Sequence, residues 1–175
     1  MVLIYLGGDA MKEIATKDDL LFVISLLESL KMKYWIDGGW GVDILLGQQK
    51  REHRDVDVDF DASYTRQLLE LLQAHGYVIT TDWRPSRIEL YSAEHSYIDI
   101  HPLQLAADGT AKQAAPDGGW YEFAAEYFDF ANFEGRRVPC ISASAQKLFH
   151  MGYEAREKDI IDMGNLEEGM KSRGF

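Results

Sequence analysis

The apolar positions of the chain follow two periods. Between residues 17 and 30 they recur at three and four. Leu20, Val23, Ile24, Leu27 and Leu30 form one stripe, which predicts a helix over 16–33. Thr16 can cap it, and Asp18 and Asp19 sit in its first turn, where the helix dipole favours negative charge. Leu68, Leu69, Leu71 and Leu72 mark a second helix, capped by Ser63 and stopped by Gly76. Between them, in DVDVDFD (55–61), the period drops to two. Val56, Val58 and Phe60 alternate with Asp55, Asp57, Asp59 and Asp61, the pattern of a strand with one buried face. Short strands are also predicted at 34–36, 77–81, 88–92 and 97–102. Gly38 and Gly39 turn the first of these into a helix over 40–46, which Gly47 ends. Residues 103–119 read as loop, with Asp108-Gly109 and Asp117-Gly118-Gly119 as turns. The aromatic stretch 120–133 is ambiguous between strand and irregular structure. Ser142 caps a helix reaching about residue 154, and a last helix covers 157–170. DGGW occurs twice, at 37–40 and 117–120, without self-similarity around it, so it is not a repeat.

The acidic strand poses a chemical question. Aspartate is a poor strand former, and carboxylates stacked on one face repel each other. Asp55 and Asp57 lie two residues apart on that face, so they can share a metal ion. A third carboxylate, Asp99, lies in SYIDIHP, where Tyr97, Asp99 and His101 point opposite to Ile98 and Ile100. If that strand pairs beside the acidic one, three carboxylates can hold two divalent cations about 3.5–4 Å apart. Oxygen donors suit a hard ion such as Mg²⁺. Upstream, a strand, Gly38-Gly39 and a helix N-terminus make a phosphate seat: the first helical amides are free, and glycine lets an anion approach. Metal and metal-bound triphosphate together would relieve the repulsion. Arg54 and Lys147 are the candidate phosphate cations, whereas Lys50 and Arg51 read as surface charge. Asp59 and Asp61 read as a solvated strand end. His53, His101 and His150 have no zinc-ligand spacing and read as structural or substrate-contacting. Trp83, Tyr91, Trp120, Tyr121, Phe123, Tyr127 and Phe128 are candidates for an acceptor wall.

Composition narrows the classes. The chain has 175 residues, 46% of them hydrophobic, enough for one domain with its own core. Its formal net charge of -11 opposes binding to a phosphate backbone, so no nucleic-acid partner is expected. No apolar run reaches the about 20 residues of a membrane span. MVLIYLGGDA lacks the basic segment of a signal peptide; Met11 reads as a start and residues 1–10 as an extension. The one cysteine, Cys140, permits no intrachain disulfide, suits a reducing cytoplasm, and reads as a small core residue.

WIDGGWGVDILLG, REHRDVDVDFD and YIDIHP together resemble the antibiotic nucleotidyltransferases of the DNA polymerase β superfamily. The short, single-domain lincosamide nucleotidyltransferases are the nearer match, with WRPSRIEL, DGGWY, VPCIS and LFHMGYE added; the resemblance spans about residues 17–166. It implies an α+β fold: a polymerase-β-like nucleotidyltransferase core, with a mixed sheet and helices packed mainly on one side, over 11–140. A small C-terminal helical element would occupy 141–175. The implied activity is ATP-dependent adenylylation of a sugar hydroxyl of lincomycin or clindamycin. Asp55, Asp57 and Asp99 match the catalytic, metal-binding carboxylates, and Gly38 and Gly39 the triphosphate turn. Asp99 is the candidate base, and Glu89 in RIEL its rival. The resemblance and the small size point to a homodimer. Competing readings are the same transfer to an aminoglycoside, a minimal nucleotidyltransferase acting on protein or RNA, and a nucleotide-binding module without turnover.

Overall fold

In the computed structural model, the described residues are 10–151 and 153–173. The segment read as an N-terminal extension lies outside them up to Asp9. The chain runs α1 (Lys17–Ser29), β1 (Tyr34–Asp37), α2 (Gly38–Leu46), β2 (Asp55–Asp61), a 3₁₀ turn (Ala62–Tyr64), α3 (Thr65–Ala74), β3 (Val78–Trp83), β4 (Arg87–Ser92) and β5 (Ser96–Leu105). Then follow β6 (Ala111–Ala114), β7 (Trp120–Phe123), a 3₁₀ turn (Ala125–Tyr127), β8 (Phe128–Phe133), β9 (Arg136–Ile141), α4 (Ala143–Phe149) and α5 (Glu157–Ser172).

Local chemistry sets most boundaries. Thr16 and Asp19 form a reciprocal capping box at α1: the Asp19 amide donates to Thr16 Oγ1 at 3.3 Å, and the Thr16 amide to Asp19 Oδ2 at 2.8 Å. Gly47 ends α2 in the left-handed region at φ 74°. Ser63 does not cap α3. Asp61 accepts from its amide at 3.0 Å and its hydroxyl at 2.8 Å, which starts the 3₁₀ turn and delays α3 to Thr65.

The stretch read as loop is largely strand. β5 continues to Leu105, and β6 and β7 form a hairpin whose turn holds the second DGGW, with Gly118 at φ 96°. Ala111 and Ala114 are its inward residues on β6; such small side chains leave no visible hydrophobic alternation. The aromatic stretch becomes β7 and β8, and β8 turns through Glu134 and Gly135, both at positive φ, into β9.

The sheet has nine strands among the described residues, in the order β3-β4-β5-β2-β1-β9-β8, with β6 on β5 and β7 on β6. β2–β5 and β1–β9 are parallel and the other pairs antiparallel, so the sheet is mixed. Val56, Val58, Phe60, Ile98 and Ile100 are fully buried beneath Leu20 and Ile24 of α1, Trp40 and Ile44 of α2, and Leu68 and Leu72 of α3. Three helices thus share one face. Each fully buried side chain of this kind contributes about 1.5–3 kcal/mol. Cys140 lies fully buried in this core on β9.

Past β9, α4 buries Ala145 beside Phe123 and Ile141. α5 packs Leu166 against Val42 and Leu46 of α2. A Cβ on Gly169 would collide with Leu46, so glycine permits this close packing. Among the described residues, no helix is long and apolar enough to cross a membrane.

Candidate active site

Strand register builds the site. Asp37 on β1 is paired with Asp57 on β2, Asp57 with Asp99 on β5, and Asp99 with Glu89 on β4. Four carboxyl-bearing residues therefore form one row across four adjacent strands. The next row holds Trp35, Asp59 and His101. The opposite face of the same strands carries the apolar core, so the alternation in 55–61 and 97–101 separates core from chemistry.

This row floors a cavity of about 810 Å³. Asp55, Asp57, Asp99, Gly38, Gly39 and Arg54, all singled out in the sequence, line it, as does Glu89. Lys147 does not; its neighbour Gln146 does, donating to Asp37 Oδ1 at 2.9 Å. The far wall comes from the C-terminal helices and their connection, through Phe149, His150, Tyr153, Lys158, Asp159 and Asp162. The aromatic group proposed as an acceptor wall is absent from this lining. Phe123, Tyr127 and Phe128 pack into a separate small core, and Trp120 and Tyr121 are exposed. Phe149 and Tyr153 are the aromatic side chains of the cavity.

Gly38 and Gly39 form the first turn of α2, with Asp37 as its cap, accepting from the Gly38 amide at 2.7 Å. Gly38 has φ 60°, and a Cβ there would collide with the Asp57 carboxylate. A Cβ on Gly39 would collide with Arg51 and His53. Both positions therefore require glycine for close approach. Arg51 is not free surface charge as the sequence reading had it: it donates to both oxygens of Asp162 at 2.7 Å and lines the cavity. Arg54 stacks over Tyr97 and donates to Glu89 at 3.0 Å, which also accepts from Thr80 at 2.9 Å. Arg87 clasps Asp99 at 3.1 and 2.8 Å.

The charges strain one another. Burial, then the charge of Asp57, pushes Asp55 up to about 6. Burial also raises Asp99, against the relief from His101 and Arg87. Burial and Asp57 raise Asp37, and burial and Asp37 raise Asp59 well above the usual carboxylate range. Asp59, read from sequence as solvated, is 1% exposed: flanking β1 and β5 cover it with Asp37 and His101 as charged neighbours. For His101, burial works against the charged form, yet its bond to Asp57 and the charges of Asp59 and Asp99 push it up to about 10. Its Nε2 lies 3.6 Å from Asp57 and 3.9 Å from Asp99. Donor atoms of Asp57, Asp99 and His101 all fall within 4.8 Å of one another; Asp55 stands outside this tight group. Repelling carboxylates with raised proton affinity and several oxygen donors fit a hard divalent cation.

Sequence reasoning did not single out Asp37, Arg87, Gln146 or the acidic residues of α5. Asp159 and Asp162 are three residues apart on one helix, a spacing that places them on one face.

Residues 19–166 match a family model described as aminoglycoside-2''-adenylyltransferase. A lincosamide resistance protein of Staphylococcus haemolyticus is 48% identical over 152 residues, 87% of this chain and 94% of the relative. The crystal structure of the lincosamide antibiotic adenylyltransferase LnuA with lincomycin bound has a TM-score of 0.83 at 47% identity, covering 88% of this chain and 98% of that one. The crystal structure of ANT(2'')-Ia with adenylyl-2''-tobramycin, at 17% identity and a TM-score of 0.65, covers 90% of this chain and 92% of that one and shares the fold. Likeness of this depth over nearly the whole length decides the kinship: the chain belongs to the lincosamide nucleotidyltransferases, within the antibiotic nucleotidyltransferases of polymerase-β-like fold.

Proposed function

We propose that this protein transfers AMP from ATP to a sugar hydroxyl of a lincosamide and releases pyrophosphate. The observation that carries the reading is the register of Asp57 against Asp99 beside the Gly38-Gly39 turn. The similarity to lincosamide-modifying relatives supports the acceptor.

Asp55, Asp57 and Asp99 would hold Mg²⁺, in all two ions, which supply charge neutralisation of the triphosphate and acidify the attacking hydroxyl. The amides at the start of α2 beyond that of Gly38, which is bonded to Asp37, receive phosphate oxygens. Asp99 takes the proton of the sugar hydroxyl as its oxygen attacks the α-phosphorus in line. A buried carboxyl with raised proton affinity is better suited to that task than a solvated one. Arg87 holds Asp99 in place, and Arg54 holds Glu89, the rival base. Lys158 and Arg54 are cavity cations whose charge favours the ionised form of Asp55. Phe149 and Tyr153 offer apolar contact to the acceptor. Asp159 and Asp162 on the same wall are already paired with Arg156 and Arg51, which leaves little free acidity for a polycationic aminoglycoside.

A cytoplasmic location accompanies this reading, because ATP is the co-substrate. So does a homodimer, for which exposed Met151, Ile160 and Ile161 offer apolar surface. Sedimentation tests the dimer. The chemistry is tested by mass spectrometry of lincomycin, clindamycin and kanamycin after incubation with protein, ATP and Mg²⁺. One added AMP on the lincosamides alone is the expected result. An adduct on kanamycin alone overturns the acceptor, and no adduct on any overturns the reaction.

A further inference from the structure

Gln146 is a fully buried polar side chain on α4, at 0% exposure. Its Nε2 donates to Asp37 Oδ1 at 2.9 Å, and the same oxygen accepts from the Gly38 amide at 2.7 Å. Both donors are N–H groups, so the bonds form whether or not the other oxygen of Asp37 carries a proton. Oδ1 is therefore the point where α4 meets the cap of α2. α4 has its own anchor beside it: Ser142 Oγ accepts from the Ala145 amide at 3.2 Å. Gly41 makes room for the contact. A Cβ there would strike Gln146 Nε2 and the Ile36 carbonyl, so the backbone of α2 lies against the amide.

A side chain that only filled this space would be apolar. Gln146 instead keeps Oε1 buried without a partner among the described residues, which is unfavourable. An apolar side chain of similar length would avoid that cost and would lose only the bond to Asp37. That bond bears on the phosphate seat. Asp37 is the N-cap of α2 and stands in register with Asp57. Gly38, next to it, lies so close to the Asp57 carboxylate that a Cβ would collide. The amides of Gly39 and Trp40 follow in the first turn, where helical N–H groups have no acceptor within the helix. Their direction depends on the cap. Held from two sides, by the backbone of α2 and by the side chain of α4, the Asp37 carboxyl is fixed, and the turn with it.

We propose that Gln146 is a positioning residue for the nucleotide: through Asp37 it fixes the Gly38-Gly39 turn that receives the triphosphate. A seat that holds the triphosphate alike before and during transfer binds substrate and transition state equally. Loss of Gln146 then shows in the affinity for ATP and not in the rate of the chemical step. The inference rests on the nucleotidyl-transfer reading but not on the identity of the acceptor.

The test compares the full chain with Gln146→Met, similar in length and unable to donate, and with Gln146→Glu, equal in size and acceptor-only when ionised. Calorimetry with ATP and Mg²⁺, without any antibiotic, gives the affinity. Lincomycin adenylylation gives KM for ATP and kcat. The expected result in both variants is about tenfold weaker ATP binding, an equal rise in KM and a kcat within about twofold. Asp37→Ser keeps a capping hydroxyl but does not reach α4, so alone it should show the same loss, which keeps the test open where a variant at 146 does not fold. Gln146→Met added to Asp37→Ser should have no further effect. A merely structural role predicts the opposite split: a lower melting temperature and kcat, unchanged KM and ATP affinity, and additive effects in the double variant. That split, or unaltered ATP affinity in the single variants, overturns the proposal and leaves the transfer reading standing. The expected loss of ATP affinity in a protein that leaves lincomycin unmodified overturns the acceptor reading and retains this one.

Discussion

Asp57 Oδ1 and His101 Nε2 lie 3.6 Å apart, with the imidazole pushed up to about 10 so that it faces the carboxylate row as a cation. Two positions on β5, Asp99 and His101, thus bring opposite charges to the same point of β2, one as a neighbour in register and one as a counter-ion.

Asp57 is the central member of the row. Asp57→Asn should leave the fold intact and lower AMP transfer by at least about 10²-fold, comparable to the loss of one essential transition-state contact. Adduct formation over time measures it. Turnover near that of the unaltered protein would remove Asp57 from the metal assignment.

The response to Mg²⁺ should depend on pH. Asp55 titrates near 6 in the folded chain, above the ordinary carboxylate value of about 3.9, and His101 near 10, above about 6.5. Both are raised, so the folded state holds extra protons and their stabilisation declines as pH rises, through 4–6 for Asp55 and 6.5–10 for His101. The melting temperature should therefore rise more on adding Mg²⁺ at pH 7.5 than at pH 5. Equal shifts at both values would contradict this account.

Asp99 and Glu89 are paired across β5 and β4, and both have arginine partners. If Asp99 is the base, Asp99→Asn lowers kcat by about 10²–10⁴-fold, and Glu89→Gln by clearly less. The reverse ranking of the two kcat values assigns the base to Glu89.

Gly38 and Gly76 both have positive φ, 60° and 86°, but only Gly38 is crowded. Gly76→Ala meets nothing within 4 Å and should cost about 1–2 kcal/mol, the backbone term alone. Gly38→Ala adds the collision with Asp57 and should cost more, and should also slow transfer. Urea denaturation compares the two.

Lys147 was a phosphate candidate, but it does not line the cavity, whereas Arg51 abuts Gly39. Lys147→Ala should change the KM for ATP by no more than about twofold, the scale of a charge that does not touch the phosphates. Arg51→Ala should raise it more. A large effect at Lys147 with none at Arg51 would reverse this placement.

Sequence alone determined what is local. The alternation of 55–61, the Thr16 cap and the glycine turn are readable because backbone sterics and side-chain period act over a few residues. The carboxylates of the site were legible for the same reason: aspartate in a strand is unfavourable enough to demand an explanation. The short strands β6 and β9 were not, because small or mixed side chains carry no period. What only the tertiary structure decided is long-range. The row Asp37, Asp57, Asp99 and Glu89 exists through pairings between strands, of which Asp99 with Glu89 joins sequence neighbours while Asp37 with Asp57 and Asp57 with Asp99 join strands separated by other elements. Asp59 and Asp61 share one pattern, yet Asp59 is buried by flanking strands while Asp61 caps a turn at the end. On α5, Asp159 and Asp162 turn inward to arginine and histidine partners, and Ile160 is left 63% exposed. Leu166 on the same face packs against Val42 and Leu46, so the inward face of α5 joins an apolar contact to charged ones. Sequence does not show this division, because the charge pairing depends on which groups the fold brings opposite one another.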